Sequence, residues 1–383
     1  MLFELSEEEV LIRDTARKIA ADRVRPLAET LDQGGGRAEF LGNLKALAEA
    51  GFMTVNIRSE FGGTEAGTVA FALTVEELGY ACASTGVTTS VTNMVAEVIQ
   101  QVGSAEQKQR YLPKLADGTY PAGAFCLTEA GAGSDPAGMQ TRARRDGDHF
   151  VLDGQKLYIT SAEYAGLFVV WAVTNAEARK GKGISCFLVE AGTPGLSIGK
   201  AEKKLGQHGS ATNVVHFDTC RVPASALMGK LDDGFRIAVG ELAGGRIGIA
   251  ALSLGIARAA MDAAKAYVVE RRQFGQAISE FQGIQWMIAD RETDIEAARL
   301  LILNAAAKKD RGEPFGREAS MAKLFASEAA LRATDTALQL HGGAGYCADF
   351  PVERHFRDAR ITRIYEGTSE VQRLIIAREA LRQ

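Results

Sequence analysis

The sequence predicts an α+β protein in which a block of helices, a block of short strands and a second block of helices follow one another along 383 residues. Two observations carry this. Apolar residues recur at helical spacing to about residue 120 and again from about 231. Between them, 121–230 holds runs rich in β-branched and aromatic residues, punctuated by Gly, Asp and Pro. A chain of this length supports two or three domains. The division is an N-terminal helical domain (1–120), a central antiparallel β-domain (121–230) and a C-terminal four-helix bundle (231–383).

Each element has its own signal. Ser6 and Glu9 make an S-x-x-E capping box ahead of Val10, Leu11, Ala16, Ile19 and Ala20. After a loop at 32–37, a helix over 40–50 stops at Gly51. Beyond the turn-rich "SEFGGTEAG", helices are expected over 68–80 and 91–101. "GAFCLT", "HFVLDGQKLYIT", "LFVVWAV", "GISCFLVE" and "VVHFD" read as strands of an antiparallel sandwich or barrel. A long Ala-rich helix then ends at "ERRQFG", and runs near 281–310, 316–341 and 368–382 complete a bundle.

Composition excludes several classes. The 44 basic and 48 acidic residues leave a net charge of -4, which argues against a nucleic-acid partner. The five cysteines (Cys82, Cys126, Cys186, Cys220 and Cys347) are scattered without a C-x-x-C pair, so neither a disulfide framework nor a zinc site is expected. The five histidines show no ligand spacing, so no metal is expected. The opening "LFELSEEEVL" is unlike a signal peptide, and no apolar run is read as membrane-spanning. A soluble, cytoplasmic protein is the expectation.

The familiar glycine motifs fail on inspection. "EAGAGSDPAG" has Pro136 where a dinucleotide fingerprint needs Gly, and no βαβ unit surrounds it. "GLSIGKA" has the wrong spacing for a phosphate loop, and "ALSLG" lacks the leading glycine of a nucleophile elbow. What remains is distributed: "FCLTEAGAGSD", "KLYIT", "GGRIG", "ERRQFG", "QLHGGAGY" and "YEGTSE" all lie where elements begin or end. Within the last, Glu366 is a surface charge, a partner for a helix N-terminus, or a base; position alone leaves all three open.

Taken in order and spacing, "CLTEAGAGSD", "ERRQFG", "QLHGGAGY" and "RIYEGTSEVQRLIIARE" resemble the acyl-CoA dehydrogenases from end to end. The resemblance implies a helical domain, a β-domain and a four-helix bundle, usually as a tetramer. It also implies bound FAD, oxidation of an acyl-CoA thioester to the 2,3-enoyl-CoA, and electrons passed to an electron-transfer flavoprotein. Glu366 becomes the base that removes the α-proton. Its backbone amide and a ribityl hydroxyl of FAD would face the thioester oxygen. Some branches carry the base on the bundle helix instead, at the position of Gly245, which cannot serve.

The same resemblance assigns Ser134, Ala243, Gly244, Gly245, Arg246, Tyr365 and Gly367 to the substrate. Ala243 departs from the acidic or amide residue common there. The FAD set is Phe125, Cys126, Leu127, Thr128, Gly133, Ser134, Tyr158, Ile159, Thr160, Thr368, Ser369 and Glu370. Tyr158 stands where many relatives have Trp, and "SAE" (161–163) departs from the usual Asn-containing loop. Arg271, Phe274, Gln282, Gln339, Leu340, His341, Gly342 and Gly343 match positions that reach the FAD of a neighbouring subunit, which implies an obligate homo-oligomer. Residues 87–101 and Tyr365 should line the acyl pocket. Several segments resemble the isobutyryl-CoA branch, so a short or branched acyl group is expected. A flavin oxidase, or another acyl-CoA-processing enzyme on the same fold, is the alternative.

Overall fold

The computed structural model describes residues 4–382. The stretch read for a leader includes Met1 to Phe3, which lie outside the described residues. Six helices come first: α1 (Glu7–Ile19), α2 (Ala28–Asp32), α3 (Arg37–Glu49), α4 (Gly67–Ala81), α5 (Ala83–Val102) and α6 (Ala105–Ala116). Ser6 and Glu9 make the expected reciprocal cap. A second such cap, Ser104 with Gln107, starts α6, which the apolar pattern did not reveal. α5 is longer than the expected 91–101 because small and hydroxyl residues extend it back to Ala83 inside the core.

The middle segment forms one eight-stranded sheet of β1 (Gly123–Cys126), β2 (Arg142–Asp146), β3 (His149–Thr160), β4 (Leu167–Val173), β5 (Ile184–Glu190), β6 (Leu196–Ala201), β7 (Thr212–Pro223) and β8 (Leu227–Met228). The path runs β6-β7-β3-β2-β4-β5-β8. Its long pairings are antiparallel, but β1 runs parallel to β4 and β2 meets β4 in parallel at Arg142 and Val173. A purely antiparallel domain was expected. β1 arrives from α6 rather than from a hairpin, so its direction is free of its neighbour's.

The bundle comprises α7 (Gly234–Glu270), α8 (Gln282–Asp310), α9 (Gly316–His341), α10 (Val352–Arg360) and α11 (Ser369–Ala380). A small hairpin of β9 (Arg272–Gln273) and β10 (Gln276–Ala277) joins α7 to α8. α7 is long and apolar enough to cross a membrane, with an 18-residue stretch of mean hydropathy 1.4, contrary to the expectation that no run would be. Its apolarity has another cause, since 83% of that stretch is buried within the protein. α4, α7, α8 and α9 share one hydrophobic core, so the first and last helical blocks are packed as a unit. Trp171 on β4 is fully buried and donates its indole N–H to Gly234 O at 2.7 Å, which ties the sheet to the start of α7.

Candidate active site

The stretch between α10 and α11 carries the reactive carboxyl. Glu366 has φ of 51° and Gly367 has φ of 94°, two successive left-handed residues. A non-glycine residue in that region is strained and is held by its surroundings. Gln372, fully buried one turn into α11, donates through Nε2 to Glu366 O (3.3 Å) and Gly367 O (2.9 Å). A side chain on Gly367 would lie 2.6 Å from that nitrogen, so the second position requires glycine. Thr368, not Glu366, is the N-cap of α11 and accepts from Val371 N. The capping role for Glu366 is therefore taken by another residue.

Glu366 turns inward against α7. Its Oε2 is buried and has no hydrogen-bond partner among the described residues. A methyl built on Gly245 would overlap this oxygen and lie 2.7 Å from Met94 Sδ on α5. The position of the alternative base and that of Glu366 thus converge on one point in space. Burial pushes the Glu366 carboxyl up to about 7, against the pull of Lys323 and Arg246. Arg246 is 8% exposed, donates through Nη1 to Ser320 Oγ at 3.4 Å, and has an unpartnered Nε. Burial lowers its pKa and Glu366 opposes that shift. A Cβ on Gly244 would instead meet Lys309, Glu241 and Glu97.

Tyr365, the residue before Glu366, lines a cavity of about 360 Å³ together with Val87, Tyr158, Thr160, Gln207 and Ile364. Tyr158, with φ of 57° at the end of β3, is 65% exposed. The Tyr365 hydroxyl accepts from Gln207 Nε2 at 3.2 Å. A slot walled by tyrosine rings with a threonine hydroxyl at its edge suits a flat, polar-edged ring system, so the residues present fit an isoalloxazine.

Other predicted residues divide into those with free side chains and those with committed ones. Gly133 and Ser134 are exposed, and Gly131 and Gly133 have open space where a Cβ would lie. Phe125 packs on Trp171 at 4.3 Å, Cys126 and Ile159 are core residues, and Leu127 O accepts from Lys156. Thr128 O accepts from Leu157 N. Ser369 is committed to Glu328 at 2.8 Å, whereas Glu370 is exposed. Leu340 and His341 are buried, with His341 stacked on Tyr267 at 4.3 Å. Of these, the Cys126, Ile159, Leu340 and His341 side chains are enclosed by the protein, whereas the half-buried Thr128 is held here only through its backbone oxygen.

Arg271, Gln282, Gln339, Gly342 and Gly343 are exposed, and Phe274 is 93% exposed at the hairpin tip. They gather at the far end of the bundle from Glu366. At 1.5 Å per residue, α7 carries the chain about 37 Å from Arg246 to Arg271. Two groups the sequence reading did not single out matter here. Lys323 on α9 donates to Gly367 O at 2.7 Å. Lys156 on β3 pairs with Glu129 at 2.7 Å beneath the glycine-containing loop. The available signal was a lysine amid small or apolar residues in "MAKLFAS" and "GQKLYIT", where burial without a partner is costly.

Comparison with known proteins agrees. Family models for the acyl-CoA dehydrogenase N-terminal, middle and C-terminal domains match residues 6–119, 124–220 and 232–381. The short-chain-specific acyl-CoA dehydrogenase of Clostridium acetobutylicum is 44% identical over 100% of both chains. Butyryl-CoA dehydrogenase from Megasphaera elsdenii superposes with a TM-score of 0.95 at 38% identity, over 100% of each chain. A chain of the structure described as "Electron transferring flavoprotein of Acidaminococcus fermentans: Towards a mechanism of flavin-based electron bifurcation" superposes at 0.97 with 42% identity, again over 100% of each. The chain belongs to the acyl-CoA dehydrogenase family, whose members are FAD-dependent oxidoreductases.

Proposed function

We propose that this enzyme dehydrogenates a short- or branched-chain acyl-CoA to the trans-2-enoyl-CoA, with Glu366 as the base. The observation that carries the reading is an unpartnered, buried Glu366 Oε2 facing Gly245 and Met94, on the residue that follows Tyr365 of the tyrosine-walled cavity. FAD, when bound, supplies the two-electron acceptor for the hydride leaving C3. Tyr158, Thr160 and the loop of Thr128, Gly133 and Ser134 would hold it.

The rest is the work of this chain. The α-proton of a thioester is a very weak acid, so the base must be desolvated and positioned. Glu366, raised to about 7, is available as carboxylate at neutral pH and is a far better proton acceptor than a solvated one. Lys323 and then Arg246 oppose the effect of burial and so favour its carboxylate form. The Glu366 amide donates to no protein acceptor among the described residues, which leaves it free for the thioester oxygen.

An oligomer, a tetramer by resemblance, is part of the proposal. Its support is the separation of Arg271, Phe274 and Gly342 from Glu366 within one chain. An electron-transfer flavoprotein as acceptor is supported by the likeness to the Acidaminococcus structure. A cytoplasmic location is supported by five free cysteines, four of them buried. Steady-state kcat/KM across a chain-length series with a dye acceptor tests the substrate class. An optimum at four or five acyl carbons is expected, falling gradually because each methylene is worth about 1–3 kcal/mol. An optimum at twelve carbons or more would overturn it.

A further inference from the structure

α9 presents a row of polar side chains to α7 and to the segment that carries Glu366. Ser320 accepts from Arg246, Lys323 donates to Gly367 O, and Glu328 accepts from Ser369 Oγ (2.8 Å) and Arg363 Nε (2.9 Å). Lys323 stands out among them. It is fully buried, and Gly367 O is the single acceptor it has among the described residues. An ammonium in that position costs desolvation free energy that a methionine of similar length would not. Packing therefore does not account for it.

The carbonyl it grips belongs to the second of the two left-handed residues, and Gln372 holds both that carbonyl and the one before it. We propose that Lys323 is a positioning residue for Glu366. Its hydrogen bond locks the peptide that follows Gly367, and its charge faces the carboxylate from the α9 side. The inference rests on the reading of Glu366 as base.

The charged and titratable groups around Glu366 come from several elements. α7 offers Arg246 and Glu241, and α9 offers Lys323, with Glu328 one turn on. α5 and α8 contribute the paired Glu97 and Lys309 beyond Glu241. The segment itself adds Tyr365, Arg363 and Glu370. Of these, Lys323 and then Arg246 oppose the effect of burial on Glu366. Removing the Lys323 cation leaves burial less opposed, so Glu366 must titrate at higher pH.

The test uses the FAD-loaded enzyme and two readouts. One is the titration of the Glu366 carboxyl by difference infrared spectroscopy, assigned with Glu366→Gln; the other is the pH profile of kcat/KM. Lys323→Met is expected to move the titration midpoint and the acidic limb up by about one pH unit. It should also lower kcat about 10- to 100-fold with KM nearly unchanged, the cost of a base about 1 Å out of place. Gln372→Leu should lower kcat without moving the midpoint, and Lys323→Gln should recover part of kcat but not the midpoint. An unmoved midpoint in Lys323→Met, even with lowered thermal stability, overturns the proposal. If Lys323→Met fails to retain FAD, the same midpoint read on Lys323→Gln decides. The infrared titration needs no turnover. An enzyme inert to every acyl-CoA would thus refute the reaction, while an unmoved midpoint alongside an inactive Glu366→Gln would refute only the role of Lys323.

Discussion

A methyl group on α7 at residue 245 would occupy the space that Glu366 Oε2 now fills. Gly245→Ala is therefore expected to push the carboxylate aside, with Met94 leaving little room for α7 to yield. A displacement near 1 Å costs about 100-fold in rate. We expect Gly245→Ala to fold, bind FAD and lose kcat on that scale, measured by steady-state assay with a dye acceptor. Unchanged kcat would mean that the two residues do not compete for space. The sequence named Glu366, Gly245 and Arg246 because motifs are local strings. It could not show that Gly245 and Glu366 touch, since 121 positions separate them and only the packing of α7 against the last turn brings them together.

At the scale of elements, the strand that ends in Tyr158 and Thr160 is anchored from below by an ion pair. Lys156 is fully buried, and Glu129 also accepts from Gln140 N (2.5 Å) and Thr141 N (3.0 Å). Burial works against the Glu129 charge, but Lys156 and these donors hold it below the ordinary carboxylate range. Lys156→Met leaves that carboxylate buried without its cation, a loss of about 3–5 kcal/mol. We expect a lower Tm and weaker FAD retention, with recovery in the Lys156→Met/Glu129→Gln double variant. Thermal unfolding followed by flavin fluorescence reads both. Helix α7 and strands β3 to β5 were legible because their periodicity is long and regular. α6 and α10 were not: one depends on a cap and the other is nine residues with mostly polar character. The parallel run of β1 was also hidden, because a strand's direction is set by how the chain enters the sheet and not by which residues it contains.

Across the whole molecule, the residues matched to FAD by resemblance fall into two groups that lie far apart within one chain. Tyr158 and Thr160 share a cavity with Tyr365, next to Glu366 in the chain, whereas Arg271, Phe274 and Gly342 lie at the other end of the bundle, about 37 Å along α7. Phe274 is 93% exposed on a left-handed hairpin residue, an arrangement suited to insertion into a second subunit. Phe274→Asp is expected to shift the oligomer toward smaller species in sedimentation velocity and to release FAD in parallel, leaving the helical content intact. A tetramer that keeps its full FAD complement with aspartate at that position would contradict shared sites.

The measurement that bears most directly on the account is anaerobic rapid mixing of the yellow enzyme with butyryl-CoA, followed at the visible flavin band. The wild-type band is expected to bleach. Glu366→Gln, with the same FAD content, is expected to bleach at least about 1,000-fold more slowly, as loss of a positioned base requires. Bleaching of the Glu366→Gln enzyme at close to the wild-type rate would contradict the role of Glu366 as base.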